Sequence, residues 1–204
     1  MSGKHFSMVR GFHLADFFTL ANAACGVAAV FCATSFAHGD TLPYFHAAAA
    51  LILAALVFDI LDGRIARWRH QHSALGRELD SLADVISFGV APATLAFAAG
   101  LSGGWDWLVL IYFVCCGVSR LARFNVTAES LAVEGKVTHF EGTPIPTSVL
   151  LVAILELAAV QGRLGEDVYW GAWAVGPWDL HPLVLMFALS GTLMISKTLR
   201  IPKY

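Results

Sequence analysis

Four aspartates are the residues in this chain best suited to do chemistry. Asp59 and Asp62 stand three residues apart, and Asp80 and Asp84 stand four apart. On a helix either spacing puts both members of a pair on one face. The first pair closes one long apolar run and the second opens the next, with a short basic turn between them. Two antiparallel helices then bring both pairs together at the edge of an apolar slab. Four carboxylates in that position repel one another and are costly to desolvate. One or two divalent cations relieve both costs, and an all-oxygen donor set suits magnesium, manganese or calcium while disfavouring zinc. Ion pairs with Arg64, Arg67, Arg69 and Arg77 are the competing reading. They explain anchoring better than they explain two acid pairs at helical spacing on neighbouring helices.

Carboxylate-held divalent cations commonly serve phosphoryl transfer, clamping a diphosphate and neutralising the charge that passes to the leaving oxygen. The residues around the aspartates fit such a ligand. Gly63 and Gly76 allow close approach to the backbone. Arg67, one turn beyond Asp62 and Gly63, can fork onto a phosphate. Ala66 is small and leaves room for a base or ribose.

The elements that must hold these residues are apolar helices. Of 204 residues, 57% are hydrophobic and only 14% charged, and the mean hydropathy is +0.67. Average soluble domains carry about 25% charged residues, so a soluble enzyme and a disordered chain are both disfavoured. A net charge of -2 gives no basis for binding nucleic acid. The four cysteines lie in apolar runs without metal-ligand spacing and read as small buried hydrophobes. The pattern predicts an all-α integral membrane protein, one domain over 1–204, with six spans at about 14–36, 44–68, 79–100, 105–124, 145–160 and 180–196. The first span, though preceded by Lys4 and Arg10, is too long for a signal core and reads as a retained helix. Numbering the loops alternately puts twelve of the thirteen Lys and Arg residues on one side and only Arg163 on the other. Basic residues stay cytoplasmic, which predicts both termini and the aspartates on the inner side of the cytoplasmic membrane. Trp105, Trp107, Trp170, Trp173 and Trp178 fall at the outer ends, where an aromatic belt belongs. Glu156, inside the fifth span, reads first as a paired structural acid and second as a functional group.

Read together, the residues form Asp59-x2-Asp62-Gly63-x2-Ala66-Arg67-x8-Gly76-x3-Asp80-x3-Asp84. This string resembles the signature of the CDP-alcohol phosphatidyltransferase family at every fixed position, and the family's six-helix membrane core would cover essentially the whole chain. The resemblance implies that an alcohol hydroxyl attacks the phosphorus of a CDP-activated lipid and that CMP leaves. It also implies two divalent cations, Mg2+ or Mn2+, on Asp59, Asp62, Asp80 and Asp84, with Asp84 doubling as the base. Asp62, Gly63, Ala66, Arg67 and Gly76 would hold the CDP group, joined by Thr19 and Asn22. Hydrogen bonding between helices is the alternative role for Thr19 and Asn22.

Four stretches are similar to the serine-using branch of the family: Asp16 to Gly26, Glu78 to Pro92, Arg120 to Asn125 and Phe140 to Pro146. That likeness implies CDP-diacylglycerol as donor, L-serine as acceptor and phosphatidylserine as product, and membership of the family suggests a homodimer. Arg120 and Arg123 share a helix face and can grip a carboxylate, or else snorkel to headgroups as anchors. Asn125 can meet an ammonium or hydroxyl. The same reaction with inositol phosphate, glycerol phosphate or choline as acceptor, or with an archaeal-type lipid donor, remains open. An aspartate-rich prenyltransferase lacks the Gly63, Ala66-Arg67 and Gly76 spacing. A cation transporter would place its acids nearer the midplane.

Overall fold

The computed structural model describes residues 14–39, 41–68, 74–134, 139–196 and 200–202. Helix α1 (Leu14–Ala37) buries Asp16, Thr19, Asn22, Gly26, Ala29 and Ala33, at steps of three and four, so one stripe of small and polar residues faces the protein. Phe17, Leu20, Val27 and Phe31 lie exposed on the other sides. Helix α2 (Leu42–Trp68) meets that stripe and is the main neighbour of α1. Its own buried residues include Ala48, Ala49 and Ala55. Small residues on both partners let two backbones come close, which is how helices cohere where lipid supplies no hydrophobic drive.

Helix α3 (Ala74–Asp84) runs into a π-helical turn, Val85–Val90, and then into α4 (Ala91–Ala98). Pro92 explains part of this widening. It has no N–H for the Phe88 carbonyl, and in α geometry its ring would clash with that carbonyl. Helix α5 (Gly104–Glu134) follows, then β1 (His139–Glu141), a 3-10 turn at Ile145–Ser148 and α6 (Val149–Val160). Strands β2 (Trp173–Val175) and β3 (Trp178–Leu180) form a hairpin. A 3-10 turn at Pro182–Val184 leads into α7 (Leu185–Ile195), and β4 (Arg200–Pro202) pairs antiparallel with β1.

Four helical stretches, 14–37, 42–65, 75–98 and 104–126, are long and apolar enough to cross a membrane, so the chain is a multi-pass membrane protein. The expected fifth and sixth spans appear as shorter apolar helices, 145–160 and 182–195. At about 1.5 Å per residue they reach about 21–24 Å, short of a hydrocarbon core of about 30 Å. Two expected boundaries also move. The third span begins at Ala74 and not near Leu79, which puts Gly76, Arg77 and Glu78 on the helix. The fourth continues to Glu134, which makes Asn125 helical.

The end of the bundle away from the aspartates is fastened by Asp106, which the sequence suggests is an ordinary loop acid. It is fully buried. One carboxylate oxygen accepts the His181 N–H at 2.9 Å. The other accepts the Gly103 N–H at 2.8 Å and lies 2.5 Å from His181 Nδ1. Trp105 Nε1 donates to the Val175 carbonyl at 2.9 Å, and its ring meets Trp178 edge-on. One acid thus caps α5 and holds the β2–β3 hairpin to it. Asp106→Ala leaves two backbone donors unmet and is expected to cost about 2–4 kcal/mol. The measurement is the apparent melting temperature in detergent, together with a red shift of tryptophan emission as the hairpin loosens. Unchanged values for both would refute the clamp.

Candidate active site and metal centre

Asp59 and Asp62 end the apolar part of α2, and Asp80 and Asp84 lie along α3. Asp59, Asp62 and Asp80 each bring one carboxylate oxygen to a common point, all within 4.8 Å of one another. Asp84 joins them through a contact with Asp59. Asp62 and Asp84 are buried, and Asp59 and Asp80 are half-buried. Among the described residues, no lysine or arginine forms an ion pair with any of the four. Two ionised carboxylates at such a separation repel by about 3.5 kcal/mol at an effective dielectric constant of about 20. The set therefore fits a divalent cation in donor type, spacing and unbalanced charge.

Helix α1 supplies the polar wall. Thr19 Oγ1 donates to Asp62 Oδ2 at 2.8 Å, and Asn22 Nδ2 reaches Asp84 Oδ1 at 3.4 Å. Asn22 is fully buried, and its Oδ1 has no hydrogen-bond partner. Asp16, one turn before Thr19, is also buried and acts electrostatically on Asp62. These positions depend on a close contact one turn further along. Ser87 Oγ in the π turn donates to the Asn22 carbonyl at 3.0 Å. A Cβ on Gly26 would come within 2.9 Å of the Ser87 Cα.

The other expected residues divide. Arg67 folds back over Gly63, its Nη1 3.8 Å from where a Gly63 Cβ would stand. Gly76 is half-buried on α3, and the Ala66 side chain falls outside the described residues. Arg120 lies within electrostatic range of Asp84, and its Nε is buried without a partner. Arg123 is half-buried and, among the described residues, makes no hydrogen bond or ion pair with the aspartates. Asn125 stands beside the cluster: it donates to Ser81 Oγ at 3.0 Å and reaches both Glu78 oxygens at 3.4 Å. Glu156 is paired, 2.5 Å from His46 Nδ1 on α2. Asp16, Glu78, Ser81 and Ser87 were not among the expected site residues. The sequence carried signals for them: Asp16 lies three residues before Thr19 on the same helix face, Glu78 and Ser81 precede Asp84 at three-residue steps, and all four fall within the stretches similar to the serine-using branch.

Residues 12–178 match the sequence profile of the CDP-alcohol phosphatidyltransferase family. The chain belongs to that family. A relative from Saccharomyces cerevisiae, a CDP-diacylglycerol–serine O-phosphatidyltransferase, is 42% identical over 98% of this chain and 74% of its own length. The enzyme of that name from Mycobacterium bovis is 38% identical over 69% of this chain and 49% of its own length. An archaetidylserine synthase from Methanothermobacter thermautotrophicus is 39% identical over 58% of this chain and half of its own length. The chain thus spans about three quarters of the yeast relative and about half of the other two.

Gly26 is the residue on which the placement of α1 depends. Gly26→Val has no room against the π turn and is expected to destabilise by about 1–3 kcal/mol. It should also pull Thr19 and Asn22 from their aspartates, so turnover of a CDP-lipid falls together with the melting temperature. Val27→Leu, on the exposed side of the same helix, should change neither. Wild-type stability and turnover in Gly26→Val would refute the close contact.

Proposed function

We propose that this chain, as one membrane domain, transfers the phosphatidyl group of CDP-diacylglycerol to the hydroxyl of L-serine, forming phosphatidylserine and releasing CMP. The observation that carries the reaction is the convergence of the aspartates on a common point within a chain of this family. Relatives of three origins support serine as acceptor, since each is named for a serine product or substrate. The archaeal relative differs in its lipid, so the acceptor is better supported than the donor's chains.

Asp59, Asp62, Asp80 and Asp84 would hold one or two divalent cations, magnesium or manganese. Bound there, the cations would neutralise the diphosphate and the departing phosphate of CMP. Arg67, aligned over Gly63, is suited to fork onto a phosphate of the CDP group. Gly63 and Gly76, lacking side chains, would leave space for that group, with Ala66 the third small residue of the motif, and Asp62 would border it. Asn22 Oδ1, a buried acceptor without a partner, suits a donor group of the nucleotide, with Thr19 holding Asp62 in place.

Asp84 serves as the base. A serine hydroxyl is a weak nucleophile near neutral pH, and a positioned carboxylate removes its proton as attack proceeds. The serine oxygen forms its bond to the lipid-linked phosphorus, and the bond from that phosphorus to the oxygen of CMP breaks. The proton rests on Asp84. Arg120, near Asp84 and with a free buried N–H, is suited to the serine carboxylate, with Arg123 and Asn125 further out. The twelve-to-one distribution of basic residues supports a site on the cytoplasmic side of the inner membrane with both termini on that side. It also favours six spans, the two short helices included.

The test is CMP release by the purified chain in detergent with CDP-diacylglycerol and Mg2+ or Mn2+. Serine is expected to be required, chelation by EDTA to abolish release, and inositol, inositol phosphate, choline or glycerol phosphate not to replace serine. Asp84→Asn should lower turnover by about 10²–10⁴-fold while CDP-lipid binding persists. Normal turnover in that variant would overturn the base, and release with another alcohol would overturn the acceptor.

A further inference from the structure

We propose that Glu78 is the counter-charge for the ammonium group of the acceptor, and so the residue that selects an amino acid over a phosphorylated alcohol. The inference rests on the serine reading above. Glu78, Ser81 and Asp84 follow one another at three-residue steps on α3. At about 1.5 Å per residue, Glu78 stands about 9 Å along the axis from the base. Both neighbours turn toward α5. Ser81 and Glu78 meet Asn125, and Asp84 acts on Arg120. The two helices run in opposite directions, so the seam between them carries Asp84 with Arg120 at its inner end and Glu78 with Asn125 at its mouth.

Four observations make Glu78 a ligand group and not merely a helix-surface acid. Its bonds from Asn125 are long, 3.4 Å to each oxygen, beyond the usual 2.7–3.2 Å. Asn125 is itself fixed by Ser81 at 3.0 Å, so it orients the Glu78 carboxylate without saturating it. Among the described residues, no lysine or arginine forms an ion pair with Glu78. The side chain is exposed.

A zwitterionic acceptor needs one cation and one anion in addition to the base at its hydroxyl. Arg120, with its unpartnered buried Nε, is the cation, and Glu78 is the anion at the other end of the seam. A phosphate placed there would face a carboxylate, so glycerol phosphate and inositol phosphate are rejected by repulsion as well as by poor fit.

The experiment compares wild type, Glu78→Gln and Glu78→Asp in the CMP-release assay, with serine titrated against 3-hydroxypropionate, which is serine without its amino group. CDP-lipid binding is measured in each to show that the site is assembled. Glu78→Gln is expected to raise the KM for serine by about tenfold to a hundredfold, with turnover at saturating serine and the KM for CDP-diacylglycerol little changed. Glu78→Asp should recover part of the loss, and the advantage of serine over 3-hydroxypropionate should shrink in Glu78→Gln. An unchanged serine KM would overturn the proposal, as would an equal loss of turnover with both acceptors, the mark of a structural role. Wild-type release with a phosphorylated alcohol and none with serine would instead overturn the acceptor reading on which the proposal stands.

Discussion

The mutual repulsion of four carboxylates at the edge of an apolar slab is the constraint to which the rest of this structure answers. Carboxylates from two helices cannot share so small a volume unless something holds them from outside. Among the described residues no lysine or arginine forms an ion pair with them, and Arg120 acts on Asp84 only at longer range. The protein instead surrounds the acids with neutral donors and close-packed backbone. Thr19 and Asn22 tether one aspartate from each helix. Neither brings a positive charge that would compete with a cation for the same oxygens.

The tethers work only because α1 is held unusually near the third span. The alanines and glycine along its buried stripe allow that approach. The π turn completes it by offering the Ser87 hydroxyl to the Asn22 carbonyl. Pro92 and Asp84 bracket the turn, so the segment that carries the proposed base is also the one whose register departs from the α-helix. A small residue on one helix and a local change of winding on another together determine where a reactive oxygen stands.

What could be read from the chain, and what could not, follows from the range of the forces involved. Spacing along one helix is governed by 3.6 residues per turn, so the two aspartate pairs and the shared face of Thr19 and Asn22 are legible without coordinates. Arg67 over Gly63 is of the same kind, one turn apart on α2. The bonds from Asn125 to Glu78 and Ser81 join residues more than forty positions apart on different helices, and nothing local announces them. The π turn is legible only in part: Pro92 signals a break in the α ladder, but the bond from Ser87 to the Asn22 carbonyl on α1 joins residues far apart in the chain. Asp106 reads from the sequence as an ordinary outer-side loop acid, because its burial depends on a hairpin that arrives seventy residues later. Span lengths fall between these cases. Prolines mark where α6 and α7 begin, and Gly162 follows the end of α6, but apolar composition says nothing of how far each helix reaches.

The shortness of those last two helices bears on the surrounding lipid. As spans, they would be several ångströms too short for an average bilayer, and Leu150, Leu157, Val160, Leu185 and Leu189 are exposed along them. Acyl chains beside α6 and α7 then have to compress, while those beside the four longer helices do not. The protein would sit in an annulus thinned locally beside α6, against α2 and α4, and beside α7, against α5. Lengthening the tails of the host membrane would raise the elastic strain beside these helices and favour movement into thinner regions of bilayer. The enzyme's distribution would thereby follow the thickness of the very membrane whose lipids it makes.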